Sequence, residues 1–169
     1  EAGISLRRPP VMIKGQRART VDVHAHCFFQ SAIDLMGDEA PSVIPPVKGV
    51  PEHFIDIPSR LSAMDRMGID MQVLSINPFW YRKDRETAEA ICHINNEGLA
   101  ELCASEPKRF AGFASLAMQF PDLAVQQLEE AVRKYGLKGA AIGGSVAGRD
   151  FCHPEFHPVL AKAEELGVM

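Results

Sequence analysis

Asp22, His24 and His26 alternate along Val21-Asp22-Val23-His24-Ala25-His26. Residues two apart on a strand point to one face, so the three side chains should project together, roughly 6.5 Å of backbone between successive ones. Two imidazoles at that spacing can converge on one ion about 2 Å from each nitrogen. Imidazole suits Zn, Fe, Ni or Co, and Zn is the common choice, so the motif points to one divalent metal, Zn first. Asp22 suits a layer further back, where a carboxylate orients a ligating histidine. His-x-His on its own is a common and uninformative pair. Its weight here comes from the apolar strand that carries it and from the third polar residue.

Other residues offer weaker chemistry. His153 and His157 are four apart, a metal spacing on a helix, but each is followed by proline and no HExxH accompanies them. Capping or surface roles suit them better. Gly143-Gly144-Ser145-Val146-Ala147 approaches a nucleophile elbow, yet its last glycine is alanine and the next helix starts late. A plain turn is the favoured reading of that stretch, ahead of an anion site made of backbone N–H groups and of a serine hydrolase with Ser145 as nucleophile. Cys27 follows His26 and should face away from the histidines.

The elements that must position these residues come from periodicity. A first strand over 20–24 leads into a Pro-rich loop. Ser59 is the expected N-cap of a helix carrying Leu61, Met64 and Met67, which ends at Gly68. A strand over 71–76, a helix over 84–105 and a strand over 110–116 follow. Pro121 and Asp122 open the next helix, with Val125, Leu128, Val132 and Tyr135 as its stripe and Gly136 at its close. A fourth strand over 139–142 and a last helix closing at Gly167 complete four β-α units. Gly68, Gly136 and Gly167 each lead straight into an apolar run, the mark of left-handed capping before a short connection. Repeated β-α units predict a parallel sheet covered by helices, open or closed into a barrel. A fifth strand has barely begun at Val168-Met169.

Composition removes other classes. Eighteen Lys and Arg against 22 Asp and Glu give 18 − 22 = −4, which is no electrostatic footprint for nucleic acid. Arg7, Arg8, Lys14, Arg17 and Arg19 gather in residues 1–19, expected to be a solvated arm ahead of the domain at 20–169. No apolar run approaches the roughly 20 residues of a membrane span. Cys27, Cys92, Cys103 and Cys152 form no CxxC, which reads as free thiols and makes the cytoplasm the expected compartment.

The Asp-Val-His-Ala-His motif is followed by Ser59-Arg60-Leu61-Ser62-Ala63-Met64-Asp65-Arg66-Met67-Gly68-Ile69-Asp70-Met71-Gln72-Val73. Then come Pro107-Lys108-Arg109-Phe110-Ala111-Gly112 and Gly136-Leu137-Lys138-Gly139-Ala140-Ala141-Ile142-Gly143. In order and spacing these blocks resemble the amidohydrolase-2 family, which includes aminocarboxymuconate semialdehyde and γ-resorcylate decarboxylases. The resemblance runs from about residue 20 onward.

It implies the N-terminal half of a (β/α)8 barrel with a divalent metal, typically Zn, held partly by His24 and His26. The remaining ligands and the catalytic residues would lie beyond Met169. The implied activity is non-oxidative decarboxylation of a small aromatic or conjugated carboxylic acid, with metal-dependent hydrolysis or hydration as the alternative. A barrel half serving only in assembly, paired with a second copy as a homodimer, is the reading from another class. Asn77, Phe79 and Trp80, after the second strand, would line the pocket rim, the rings stacking on a flat substrate. Lys48 and His53 are the only basic residues over 44–58, where some family members carry a carboxylate-binding arginine. Lys48 is a point charge and not a bidentate fork, so a dicarboxylate is not required.

Overall fold

A computed structural model of the chain describes residues 8–43 and 56–169. The chain opens with a small antiparallel hairpin, β1 (Met12–Ile13) and β2 (Gln16–Arg17). Lys14 and Gly15 between them both have positive φ, 49° and 78°, the conformation of a tight two-residue hairpin turn. Residues 12–17 of the arm thus form a hairpin whose strand residues are all exposed to solvent. Arg17 pairs with Asp70 of the body.

Behind the hairpin, β3 (Val21–His26), β4 (Met71–Ser75) and β5 (Phe110–Gly112) form a parallel sheet in sequential order. A parallel neighbour needs a crossover, and each crossover here is helical. After β3 come α1 (Gln30–Asp34), a 3-10 turn (Gly37–Glu39), α2 (Ala40–Val43) and α3 (Ile57–Met67). After β4 comes α4 (Arg85–Ser105), and after β5 comes α5 (Pro121–Arg133). The next β-position is sparse, a single parallel bridge between Ala114 and Ala140. The expected fourth strand over 139–142 is thus reduced to one bridge, and the third stops at Gly112. Ala114 N donates to Gly139 O (2.8 Å) and Ala141 N to Ala114 O (3.0 Å). On the far side Ala140 N donates to Met169 O (2.8 Å), after α6 (His157–Leu166). Sequential parallel neighbours joined by helices are the start of a (β/α)8 barrel wall.

Local chemistry sets the helix ends. Asp56 caps α3, its carboxylate accepting from Ser59 N (2.9 Å). Ser59 is therefore three residues inside the helix rather than its cap, and Pro58 occupies the first turn where its missing N–H costs nothing. Asp84 caps α4 through Thr87 N (3.0 Å). Gly68 and Gly167 cap α3 and α6 with φ of 72° and 66°, the left-handed stops that the sequence implies, whereas α5 ends at Arg133 with Lys134 as its cap and Gly136, φ 68°, turns the chain after it. The core lies between sheet and helices, with Leu74, Phe110, Ile91, Leu99 and Leu128 buried. Among the described residues no helix is long and apolar enough to cross a membrane.

One element was not anticipated. β6 (Ser145–Val146) and β7 (Arg149–Asp150) make an antiparallel hairpin turning at Ala147 and Gly148, φ 50° and 77°. Ser145 therefore sits in a hairpin strand and not at a strand-to-helix elbow. The serine-hydrolase reading falls with that geometry.

Candidate metal centre

His24 and His26 end β3 with their Nε2 atoms 3.0 Å apart and their rings at 81°. Strand alternation alone would have brought Asp22 with them. The register says otherwise. Asp22 pairs with Gln72 and Ala25 with Leu74, so three residues of β3 advance against two of β4. Gln72 and Leu74 share a face, hence Asp22 and Ala25 share it too, while His26 pairs with Ser75 on the other. The bulge removes Asp22 from the face of the histidines, correcting the simple period-two expectation.

Asp22 acts on the main chain instead. Its Oδ1 accepts from His24 N (3.1 Å) and its Oδ2 from Gln72 Nε2 (3.0 Å). Gln72 Oε1 in turn accepts from Arg60 Nη1 (2.9 Å), and Arg60 Nη2 donates to the main-chain oxygen of His26. Neither imidazole hydrogen-bonds the Asp22 carboxylate, which lines the same hollow as the two rings and acts on His26 through its charge. The polar neighbour of the His26 ring is Ser75, whose hydroxyl lies 3.2 Å from Nδ1. Arg60, Gln72 and Ser75 were missed as site residues. A signal existed for Arg60, since it stands one turn before Met64, and both turn out buried on the sheet-facing side of α3.

The surroundings of His26 favour the form that donates a lone pair. Partial burial, and next the neighbouring His24, push the His26 imidazole below its ordinary value. A neutral imidazole is the form that binds a metal. Cys27 is buried and pushed up to about 12 by desolvation, so it stays an inert thiol behind the strand.

The remaining expected site residues divide. Asn77 is exposed and Phe79 half-buried just past the end of β4, the end of the sheet that carries His26. Trp80 is fully buried, and its indole N–H donates to Leu116 O (2.9 Å). It is a core residue and not part of a pocket rim, because a large ring with one satisfied donor gains more from the interior. Lys48 and His53 lie outside the described residues. His153 caps the 3-10 turn Pro154–Phe156, and His157 begins α6 against Cys152 O (3.2 Å).

A hollow of about 470 Å³ opens beside His24, His26, Arg60 and Gln72. A larger one, about 640 Å³, lies at the other end of the strands among Arg8, Arg17, Arg19, Lys108 and Arg109, with Asp65 and Asp70. Among the described residues no group of three or more His, Cys, Asp or Glu could hold a metal. Two imidazoles nonetheless fit as part of a donor set. Their Nε2 atoms, 3.0 Å apart on one face, are imidazole donors of the kind that can share one divalent ion.

The amidohydrolase (amidohydrolase-2) family model matches residues 21–169. The chain is 35% identical over 130 residues to γ-resorcylate decarboxylase of Rhizobium radiobacter, spanning 72% of this chain and 40% of that protein. Its fold matches 5-carboxyvanillate decarboxylase from Sphingomonas paucimobilis with a TM-score of 0.77 and 26% identity, over 89% of this chain and half of that one. It also matches dihydroxybenzoic acid decarboxylase from Polaromonas sp. JS666, solved with manganese and 2-nitroresorcinol. There the TM-score is 0.71 and the identity 27%, over 89% and 47% of the two chains. The chain thus spans half or less of the length of these relatives. With its parallel β-α units and paired strand histidines, it belongs to the amidohydrolase-2 family and has the fold of the N-terminal half of that family's barrel.

Proposed function

We propose that this chain supplies the first-strand histidines of a metal-dependent, non-oxidative decarboxylase of a small aromatic carboxylic acid. The observation that carries it is the His24–His26 pair, Nε2 atoms 3.0 Å apart at the C-terminal end of the first sheet strand, where barrels of this kind keep their chemistry. The named relatives, decarboxylases of resorcylate, carboxyvanillate and dihydroxybenzoate, support the reaction and the aromatic substrate. Since the chain spans only part of those proteins, the activity proposed is that of the whole protein.

His24 and His26 would hold the ion. When bound, it supplies a Lewis acid that polarises the substrate's oxygens. The chain's own residues do the rest of what is proposed here. Ser75 orients the His26 ring, Asn77 and Phe79 border the substrate's approach, and Phe79 offers a ring face to a flat acid. Zn was the first expectation for the ion. Manganese accompanies the dihydroxybenzoate relative and, like Zn, is a divalent ion that imidazole can bind. Manganese is therefore the ion to try first. Four unpaired thiols support a reducing cytoplasm.

The test begins with intact mass under denaturing conditions and metal content on the same sample. CO2 release from γ-resorcylate and 5-carboxyvanillate follows, with and without chelator. About one divalent ion per chain, lost in His24→Asn and His26→Asn, together with chelator-sensitive CO2 release, is the expected result. A protein that binds no ion, or that loses nothing on those substitutions, overturns the proposal.

A further inference from the structure

Among the described strands β3 has a neighbour on one side alone, and its register shift falls between Asp22 and Ala25, around His24. Its hydrogen bonds from behind form a closed path. Arg60 donates to the main-chain oxygen of His26 and to Gln72, Gln72 donates to Asp22, and Asp22 accepts from the main-chain N–H of His24. The path leaves from the carbonyl of one histidine and returns at the amide of the other.

The cation at its head is costly. Arg60 and Gln72 are buried, 6% and 7% exposed, and the Nε of Arg60 has no partner. No carboxylate among the described residues forms an ion pair with Arg60; its acceptors are an amide and a carbonyl. A buried charge so placed is weak support for stability, and an apolar residue of similar size would serve the core as well. What Arg60 does provide is direction, since its planar fork addresses two acceptors at once.

We infer that Arg60, acting through Gln72 and Asp22, is the positioning residue that fixes the mutual orientation of His24 and His26. The use of that orientation rests on the metal-centre reading; the orientation itself does not. Two readouts, made on the whole protein, separate them. In the metal-free chain, the imidazoles, centroids 4.7 Å apart, give a ring-to-ring NOE in NMR. Arg60→Met and Gln72→Leu should abolish or strongly weaken it. Leu128→Ala, a distant core truncation that also lowers the melting temperature, should leave it intact. In the second readout, calorimetric titration with Mn²⁺ and with Zn²⁺, the first two variants should lose about 10- to 100-fold in affinity and Leu128→Ala nothing. Should Arg60→Met fail to fold, Gln72→Leu decides alone. A persistent NOE in the Arg60 and Gln72 variants overturns the inference, as does an equal loss in Leu128→Ala. If the parent binds neither ion while the NOE results hold, the metal-centre reading fails and the positioning role stands.

Discussion

Gly139 lies directly against the main chain of Met169: a methyl group built on it would overlap the Met169 carbonyl oxygen. The same neighbours are joined by the bond from Ala140 N to Met169 O, so the fourth and fifth β-positions meet at the one residue that has no side chain to keep them apart. Gly139 also has φ of 143°, where L side chains are rarely found. Gly139→Ala should destabilise the chain by about 1–3 kcal/mol from the backbone alone. Urea midpoints of parent and variant measure it, and an unchanged midpoint would mean that residues 139 and 169 do not pack as described.

Features set by near neighbours were legible in the sequence. The stops at Gly68 and Gly167 and the opening of α5 at Pro121 depend on a few residues each and stand where the pattern puts them, whereas α5 already ends at Arg133, ahead of Gly136. Features set across the fold were not. The bulge between Asp22 and Ala25 exists only relative to β4, and strict alternation placed Asp22 with the histidines. Trp80 looked like a rim residue because it follows a strand, yet its donor is satisfied by Leu116, 36 residues away. Arg60 reads as one more polar residue of a helix until Gln72 and the His26 carbonyl are brought to it.

Asp70 ties the N-terminal hairpin to the body. Its carboxylate accepts from Thr20 N (2.8 Å) and from Arg17. The Thr20 N–H, and then the Arg17 guanidinium, hold its carboxyl below the usual range. A carboxyl lowered on folding adds stability above its unfolded value, about 3.9, and that contribution disappears as pH falls through the folded value. Asp70→Asn should therefore lower the urea midpoint at pH 7, with the gap to the parent closing as pH falls through the carboxyl's lowered folded value. A gap that stays constant across that range would show that the charge is not what matters.

The four thiols should separate cleanly. Cys152 is exposed, whereas Cys27 and Cys92 are buried and Cys103 half-buried. Burial pushes Cys27 up to about 12 and Cys103 to about 11, and raises Cys92 as well. Since the thiolate is the reacting form, a maleimide at pH 7.5 should label one thiol quickly and the other three at the rate of unfolding. Cys152→Ser should remove the fast phase. A second fast thiol would contradict the packing around β3 or α4.

Trp80, the one tryptophan of the chain, provides the sharpest check on the corrected pocket. It is fully buried with its edge toward Phe79 and Tyr81, ring centroids 5.1 and 6.0 Å away. A rim residue would emit as a solvated indole and be quenched by acrylamide. A core residue emits further to the blue and is shielded until the chain unfolds. We expect the shielded, blue-shifted signal, and a shift to the red that coincides with the loss of helical circular dichroism. Trp80→Phe would leave Leu116 O without its donor, costing about 1–3 kcal/mol for the unsatisfied carbonyl. Ion binding at His24 and His26 should survive that substitution, because the ring supports the wall behind the site and does not face it. Strong acrylamide quenching in the native chain would return Trp80 to the rim, and with it a stacking partner for an aromatic acid.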